Sequence, residues 1–225
     1  MSTSATVIVR IWDLPTRVFH WSLASCVILL LITGTLGGNA MIWHFRLGYA
    51  VMTLLLFRLI WGLVGGHWSQ WRRLPLSPRQ VWAYWAGRDY VAHHAGHNPM
   101  GSWSVLAMLF FLFLQVSTGL VSDDEIANSG PLTALVSGEL VSLATHWHKA
   151  WGRWLIIALV LVHVLAIIWY RWRKGQSLVT AMWHGDKQLP QKMPSSLDTW
   201  ATRLGAAVIV LLCAAGVWFV IGLGA

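Results

Sequence analysis

The stretch HKAWGRWLIIALVLVHVLAIIW, residues 148–169, decides the fold of this chain. Its residues from Trp151 to Trp169 are almost all apolar, and roughly 20 such residues let a helix cross a hydrocarbon core of about 30 Å. One histidine precedes the run, and a second lies inside it, fifteen positions further along. Ionisable side chains in membrane spans are costly and usually functional. We therefore expect this helix to cross a membrane and to hold functional residues.

Four further apolar runs predict four further spans. The five predicted spans are Val18 to Leu36, Phe45 to Val64, Trp103 to Val121, Trp151 to Trp169 and Leu204 to Leu223. Only 11% of the 225 residues are charged, whereas a soluble domain carries about 25%. Many of the seventeen tryptophans lie at the ends of these runs, as in the aromatic belts of membrane proteins. The sequence predicts an all-α integral membrane protein with a single domain over 1–225, in which a four-helix bundle is followed by a fifth, C-terminal helix.

The charged residues between the spans predict the orientation. Basic side chains precede the first span and follow the second and the fourth: Arg10, Arg17, Arg72, Arg73, Arg79, Arg88, Arg171, Arg173, Lys174, Lys187 and Lys192. The loop from Ser122 to Trp147 contains four acidic residues and no lysine or arginine. Under the positive-inside rule the N-terminus and the basic segments are cytoplasmic, and the acidic loop and the C-terminus are periplasmic. We therefore expect a multi-pass protein of the bacterial inner membrane.

Composition argues against several other classes of protein. The net charge of +8 comes from residues that flank apolar runs, so we expect a lipid bilayer and no nucleic acid as a partner. Cys26 and Cys213 lie inside apolar runs and form no C-x-x-C-H motif, so c-type haem attachment is not expected. The run after Arg17 is too long for the apolar part of a cleavable signal peptide, so we expect the first span to remain as an anchor.

Four histidines lie in or beside the predicted spans and match in depth. His20 and His163 lie toward the cytoplasmic side, whereas His44 and His148 lie toward the periplasmic side. A b-type haem is not covalently attached, so it needs axial ligands from the protein, and two imidazoles leave no open iron position. One interpretation is therefore an inner and an outer haem, each between two histidines and roughly 22 Å apart along the helix. The other is that each histidine is a polar interfacial residue.

Arginines near these histidines suit the anionic propionates of such haems. Arg58 follows His44 by fourteen residues on nearly the same helix face, and would approach the inner haem. Arg46 and Arg153 lie near the outer pair, although both side chains could instead extend to the membrane interface. Small residues in the spans would let a flat macrocycle approach the backbone, or would serve close helix packing: Gly34, Gly48, Gly119 and Gly152.

Several segments resemble the prokaryotic cytochrome b-561 family, which includes the b-type cytochrome subunit of nickel-iron hydrogenases. They are VRIWDLPTRVFHW at Val9 to Trp21, HFRLGYAVMTLLLFRLIWGLVG at His44 to Gly65, GHNPMG at Gly96 to Gly101, and the helix from His148 to His163. The resemblance covers Arg10 to Lys187. It implies two b haems in a four-helix core that exchanges electrons between a membrane quinone and a periplasmic redox partner, either a c-type cytochrome or a hydrogenase-like protein.

Carried over by position, the resemblance implies that His20 and His163 bind the inner iron and that His44 and His148 bind the outer one. The family usually separates the two ligands on the fourth span by about fourteen residues, and an extra residue turns a ligand around the helix by roughly 100°. Here the separation is fifteen. A widened turn would absorb the difference; otherwise His146 replaces His148 as the outer ligand.

We expect an electron-transfer subunit rather than a self-sufficient enzyme, because no acid–base or nucleophile arrangement is apparent. Two alternatives stay open. A stand-alone oxidoreductase would reduce quinone with a small periplasmic donor such as superoxide. A membrane transporter or assembly factor would use its histidines to bind metal, and His93, His94 and His97 form an H-H-x-x-H pattern. That pattern lacks the cysteines or clustered carboxylates that would strengthen a metal assignment.

Overall fold

The computed structural model describes residues 6–88 and 95–224. Within that part the α-helices are α1 (Leu14–Leu36), α2 (Met41–Val64), α3 (Pro78–Trp85), α4 (Pro99–Leu120), α5 (Gly138–His146), α6 (Arg153–Lys174), α7 (Leu178–His184) and α8 (Trp200–Gly222). A π-helical turn, Trp147–Gly152, joins α5 to α6. The structure also contains two short strands, β1 (Val7–Arg10) and β2 (Asp186–Leu189), and four single-turn 3₁₀ helices among the described residues, at Gly38–Ala40, His67–Ser69, Trp71–Arg73 and Thr133–Leu135.

Five helical segments are long and apolar enough to cross a membrane, which confirms the predicted multi-pass, all-α membrane fold. They are Leu14–Leu36, Gly38–Val64, Pro99–Leu120, Gly138–Lys174 and Trp200–Gly222. The fourth is longer than predicted, since α5, the π-turn and α6 run on as 37 residues. The first begins four residues earlier than predicted, because the Asp13 carboxylate accepts the backbone N–H of Thr16 at 2.8 Å and caps the helix.

The chain forms two compact units, and each is assembled from three separate segments. We call Met1–Val18, Arg58–Ala107 and Val162–Ala206 the sheet unit, because it contains β1 and β2. We call Phe19–Phe57, Met108–Leu161 and Ala207–Ala225 the histidine unit, because it contains His44 and His148. The single domain over 1–225 stays a prediction.

The small sheet pairs a strand that precedes the first span with a strand that follows the fourth. β1 and β2 pair in antiparallel register, with Val7 opposite Leu189 and Arg10 opposite Asp186. Arg10 also donates to the Asp186 carboxylate, with Nε 2.6 Å from Oδ1. Paired strands must lie on the same side of a membrane, so an even number of crossings separates them. This agrees with four spans between residues 10 and 186.

The histidine unit is held together by an apolar core. Its buried members come from α2, α4 and α8: Val51, Met52, Leu55, Val116, Leu120 and Val217. Of the five spans, the one containing α2 is the most buried within the protein. In its 18-residue apolar stretch 39% of the residues are buried, against 6–17% in the other spans. The remaining span surface is left for lipid, as expected when the bilayer is the solvent.

Candidate haem site

The structure brings together two of the sequence-predicted ligands, His44 and His148. His44 lies in the first turn of α2, and His148 lies in the π-turn before α6. Their ring centroids are 6.1 Å apart, and the ring planes are nearly perpendicular, at 86°. Both side chains are partly buried.

A backbone carbonyl fixes each imidazole. His44 Nδ1 lies 3.1 Å from the Leu30 carbonyl oxygen, and His148 Nδ1 lies 2.9 Å from the Gln115 carbonyl oxygen. A carbonyl oxygen only accepts, so Nδ1 carries the proton in both rings and Nε2 keeps its lone pair. Within the described part of the chain, neither Nε2 has a hydrogen-bond partner. Metal-bound histidines have this arrangement, with the second ring nitrogen donating to a carbonyl or carboxylate.

A glycine lies against each ring. A Cβ built on Gly34 would lie 2.9 Å from Cε1 of His44, and a Cβ on Gly119 would lie 2.8 Å from Cε1 of His148. Each glycine follows the accepting carbonyl by four residues and is preceded by a threonine. The ends of α1 and α4 therefore hold the two imidazoles in the same way, through a backbone carbonyl and a glycine four residues later. The sequence contained this repeat, but its contact with histidine appears only in the structure.

The pair fits a six-coordinate haem iron. Two imidazoles bound to one iron through bonds of about 2 Å hold their ring centroids roughly 6 Å apart, and the observed separation is 6.1 Å. Neither Nε2 atom has a hydrogen-bond partner among the described residues, and each ring is held through Nδ1 by a backbone carbonyl. His44 and His148 would therefore hold a b-type haem. With both axial positions occupied, the iron would have no open coordination site.

The π-turn accounts for the unusual spacing of the histidines on the fourth span. Trp147–Gly152 is π-helical, and such a turn accommodates one residue more than an α-helical turn. Thus the widened turn that the fifteen-residue spacing required is present, and His148 contacts His44. His146, the alternative ligand, is exposed, and its Nε2 accepts a hydrogen bond from Trp151 Nε1 at 3.1 Å.

The two arginines predicted near the outer pair have other contacts. Arg46 is exposed and its guanidinium carbon lies 5.1 Å from the centre of the Trp43 ring. Arg153 is likewise exposed, 5.1 Å from the ring of Trp154. Both contacts are typical of the aromatic belt at a membrane interface. Binding of haem propionates by either arginine stays a prediction.

His20 and His163, the predicted inner ligands, belong to different units. His20 lies on α1 in the histidine unit and packs edge-on against Trp21, with ring centroids 5.0 Å apart. His163 lies on α6 in the sheet unit. Both side chains are half-buried. Their pairing stays a prediction.

Arg58 is buried in the sheet unit, with 4% of its surface exposed. Its guanidinium carbon lies 4.1 Å from the centre of the Trp71 ring, and the Asp13 carboxylate is within electrostatic reach. Nη1 is buried and has no hydrogen-bond partner among the described residues. A buried cation with a free N–H group suits an anionic ligand.

Asp13 is a central residue of the sheet unit that sequence reasoning missed. It is fully buried, and besides capping α1 it accepts hydrogen bonds from three other groups: Trp61 Nε1 at 3.2 Å, the Gly66 backbone N–H at 3.1 Å and Ser69 Oγ at 2.9 Å. The one sequence feature that indicates this role is an acidic residue directly before a helix that starts with Leu-Pro. Four acceptor contacts within the chain leave Asp13 a structural rather than a redox role.

The described residues give no support to the alternative of a metal-binding transporter or assembly factor. In 6–88 and 95–224, no group of three or more His, Cys, Asp or Glu could hold a metal ion. His93 and His94, the first two residues of the H-H-x-x-H pattern, lie outside the described residues. His97 packs edge-on against Trp12, with ring centroids 4.8 Å apart.

Comparison with known proteins identifies the family. The profile of the prokaryotic cytochrome b561 family matches residues 11–185, so this chain belongs to that family. Among curated relatives, the probable Ni/Fe-hydrogenase B-type cytochrome subunit of Cupriavidus necator is 28% identical over 213 residues, covering 78% of this chain and 85% of that protein. The protein of the same name from Azotobacter vinelandii is 27% identical over 225 residues, with 83% and 91% covered.

A third relative aligns with a smaller share of this chain. The probable Ni/Fe-hydrogenase 1 B-type cytochrome subunit of Escherichia coli K12 is 24% identical over 193 residues, which is 68% of this chain and 80% of that protein. No solved structure shows significant similarity to this chain.

Proposed function

We propose that this chain transfers electrons across the bacterial inner membrane through two b-type haems, between the membrane quinone pool and a periplasmic redox partner. The observation that carries the proposal is the pair His44 and His148, whose ring centroids are 6.1 Å apart and whose Nε2 atoms are both free. Membership of a cytochrome family supports it. Haem b, when bound, supplies the one-electron chemistry that side chains lack.

The residues of the outer site act by holding ligands still. The carbonyls of Leu30 and Gln115 keep each Nδ1 protonated, so that Nε2 is available without a change of tautomer. Gly34 and Gly119 let the rings lie against the backbone. Two fixed axial imidazoles minimise rearrangement between oxidation states and exclude other iron ligands, which suits electron transfer rather than oxygen chemistry.

For the inner haem we propose His20 and His163 as ligands, with Arg58 binding a propionate. The support is the shared depth of the two histidines on α1 and α6, and the buried Arg58 Nη1 that lacks a partner among the described residues. Arg46 and Arg153 are proposed for the outer propionates. The exchangeable quinone would react on the inner-haem side, and the N-terminus would be cytoplasmic by the positive-inside rule.

For the partner we propose a periplasmic protein of the hydrogenase type, or else a c-type cytochrome. The relatives named above are described as hydrogenase cytochrome subunits. The acidic loop before α5 supplies a suitable surface: Asp123 and Glu125 line an open recess of about 720 Å³ together with His146 and Lys149. This recess adjoins the turn that carries His148, so a docked partner would be close to the outer haem.

The test is a set of single substitutions analysed by visible spectra and redox titration of the purified protein. His44→Ala and His148→Ala should each remove, or make high-spin, the same haem, because both imidazoles serve one iron. His20→Ala and His163→Ala should affect the other haem. His146→Ala is the matched control, since its ring is exposed and hydrogen-bonded to Trp151, and it should keep two low-spin haems.

Retention of two low-spin haems by all four variants would disprove the proposal. If His148→Ala were silent while His146→Ala removed a haem, the outer ligand would be His146. Equal loss of both haems in every variant would show only general unfolding, so circular dichroism of each variant is part of the measurement.

A further inference from the structure

Gln115 is a neutral but strongly polar residue in the last third of an apolar span, α4 (Pro99–Leu120). An unsatisfied amide in a membrane is costly, so its contacts must offset the cost of its presence. Its side-chain Nε2 donates to the backbone carbonyl of His148 at 2.9 Å. Its own carbonyl accepts from Nδ1 of the same histidine, also at 2.9 Å. One residue therefore holds His148 at the ring and at the main chain.

The contact with the main chain falls inside the π-turn Trp147–Gly152. A π-turn shifts hydrogen bonding from the fourth to the fifth residue along, which displaces backbone carbonyls from their helical partners. The His148 carbonyl, which accepts from Gln115 Nε2, lies in this turn. Gly152 is buried, and a Cβ on it would overlap Gln115 Oε1, so the turn contains a glycine where the amide enters.

The side-chain carbonyl oxygen of Gln115 does not bind a second group in the described ranges. Gln115 Oε1 is buried and has no hydrogen-bond partner among the described residues. The polar side chain is therefore committed to one bond, the one to the His148 carbonyl. This bond gives the Nε2 half of the amide a partner inside the protein.

The site of His44 provides a natural comparison. Leu30 occupies the position equivalent to Gln115, since its carbonyl accepts from His44 Nδ1 and a glycine follows four residues later. Its side chain cannot hydrogen-bond, and His44 lies in the regular helix α2. On a regular helix the imidazole is thus oriented by a carbonyl, a glycine and the Thr33 hydroxyl, whose Oγ1 lies 3.3 Å from His44 Nδ1, without a side-chain amide. The side-chain amide is found at the other site, where the histidine lies in a π-turn.

We propose that Gln115 is a positioning residue that stabilises the π-turn and thereby keeps His148 aligned with the outer haem iron despite the extra residue in the fourth span. The inference rests on the proposed function, because it takes His148 as an iron ligand. Without the π-turn, the extra residue would rotate His148 by roughly 100° around the helix.

The decisive variant is Gln115→Leu, which gives α4 the residue found at the equivalent position of α1. We expect about tenfold faster deuterium exchange at the amides of residues 147–152, because a buried hydrogen bond to the turn is lost. We also expect a shifted midpoint potential for the outer haem and an unchanged one for the inner haem. Thr53→Val is the matched control, since Thr53 Oγ1 bonds only within its own helix, to Tyr49 O at 2.9 Å.

A second variant separates positioning from general packing. Deletion of Ala150 shortens the histidine spacing to fourteen residues and allows a regular helix, so Gln115→Leu should have little effect on the outer haem in that background. Gln115→Met, which keeps the side-chain length without the donor, should reproduce Gln115→Leu if the latter folds poorly.

The outcomes distinguish the two proposals. If Gln115→Leu and Gln115→Met leave both exchange and potential unchanged while His148→Ala removes a haem, the positioning role is wrong and the proposed function stands. If His148→Ala keeps both haems, the ligand assignment fails, and faster exchange in Gln115→Leu would support only the turn-stabilising role. An equal effect of Gln115→Leu with and without Ala150 would also overturn the positioning role.

Discussion

The sheet unit and the histidine unit are stabilised in opposite ways. In the sheet unit, charged groups are buried or half-buried and satisfied by many partners: Asp13 accepts four hydrogen bonds, and Asp198, with 7% of its side chain exposed, meets Arg10, Arg17 and Arg203. The spans of the histidine unit pack around an apolar core, and their polar contacts include those that hold the two imidazoles. Buried charged networks thus stabilise the sheet unit, whereas in the spans of the histidine unit polar groups orient the two imidazoles.

The largest expected effect comes from removing the polar centre of the sheet unit. Asp13→Ala would leave four donors without their acceptor, so we expect the free energy of unfolding to fall by about 3–5 kcal/mol. Thermal unfolding in detergent, followed by circular dichroism, measures this loss. Because the His44 and His148 contacts lie in the other unit, the outer haem spectrum of the folded fraction should be retained.

Asp186→Asn is the control for that comparison. Asp186 also forms an ion pair, with Arg10 at 2.6 Å, but its side chain is 35% exposed. Solvent-exposed pairs contribute about 0–1 kcal/mol. Equal destabilisation by Asp13→Ala and Asp186→Asn would contradict the view that burial of Asp13 decides the stability of the sheet unit.

A smaller effect is expected from crowding the imidazoles in the histidine unit. In Gly34→Ala or Gly119→Ala the added methyl group lies 2.9 or 2.8 Å from a ring carbon, so the ring must move. Overpacking of this kind costs about 1–3 kcal/mol. If His44 and His148 hold the proposed outer haem, both variants should shift the midpoint potential of that haem in a redox titration.

Gly216→Ala is the control for these two glycine variants, since a Cβ at Gly216 on α8 meets no atom within 4 Å. It should leave both potentials unaltered. A shift of the inner haem alone in Gly34→Ala or Gly119→Ala would break the link between these glycines and the His44–His148 pair.

The smallest effect is local and concerns the acidic loop. Hydrogen bonds from the Asn128 side chain, and then from the backbone N–H groups of Asn128, Ala127 and Ile126, hold the pKa of Asp124 below its ordinary value. A depressed carboxylate pKa stabilises the folded loop above the unfolded value of about 3.9, and this contribution is lost as the pH falls through the folded pKa. Loop order should therefore not change between pH 5 and 8.

Asp124→Ala should speed deuterium exchange at the amides of Ile126, Ala127 and Asn128 throughout that pH range. Glu139→Gln, which alters a charge in the first turn of α5, should not. Slow exchange in Asp124→Ala would mean that the loop is ordered by something other than this carboxylate.

The spans could be predicted from the sequence because apolar length is a strong and local property. The match in depth between His44 and His148 followed from span boundaries alone, and the fifteen-residue spacing indicated where a turn would have to widen. Such features depend on residues that are neighbours on one or two helices. They need no knowledge of how distant segments pack.

The contacts that depend on distant segments could not be predicted. β1 and β2 are four residues each and pair across 176 positions, with no hairpin turn to reveal them. The partners of Asp13 come from α2 and the segment after it. Gln115 was open to prediction, because a lone amide in an apolar span marks a polar function, although its contact with His148 depends on helix packing.

The pairing of β1 with β2 also has a consequence for biosynthesis. The N-terminal strand leaves the ribosome 176 residues before its partner, so at roughly 5–20 residues per second it waits on the order of 10–35 s. During that time four hydrophobic segments must enter the bilayer. Since the two strands can meet only if all four have inserted with the right alternation, closure of the sheet is a late event that reports correct membrane insertion.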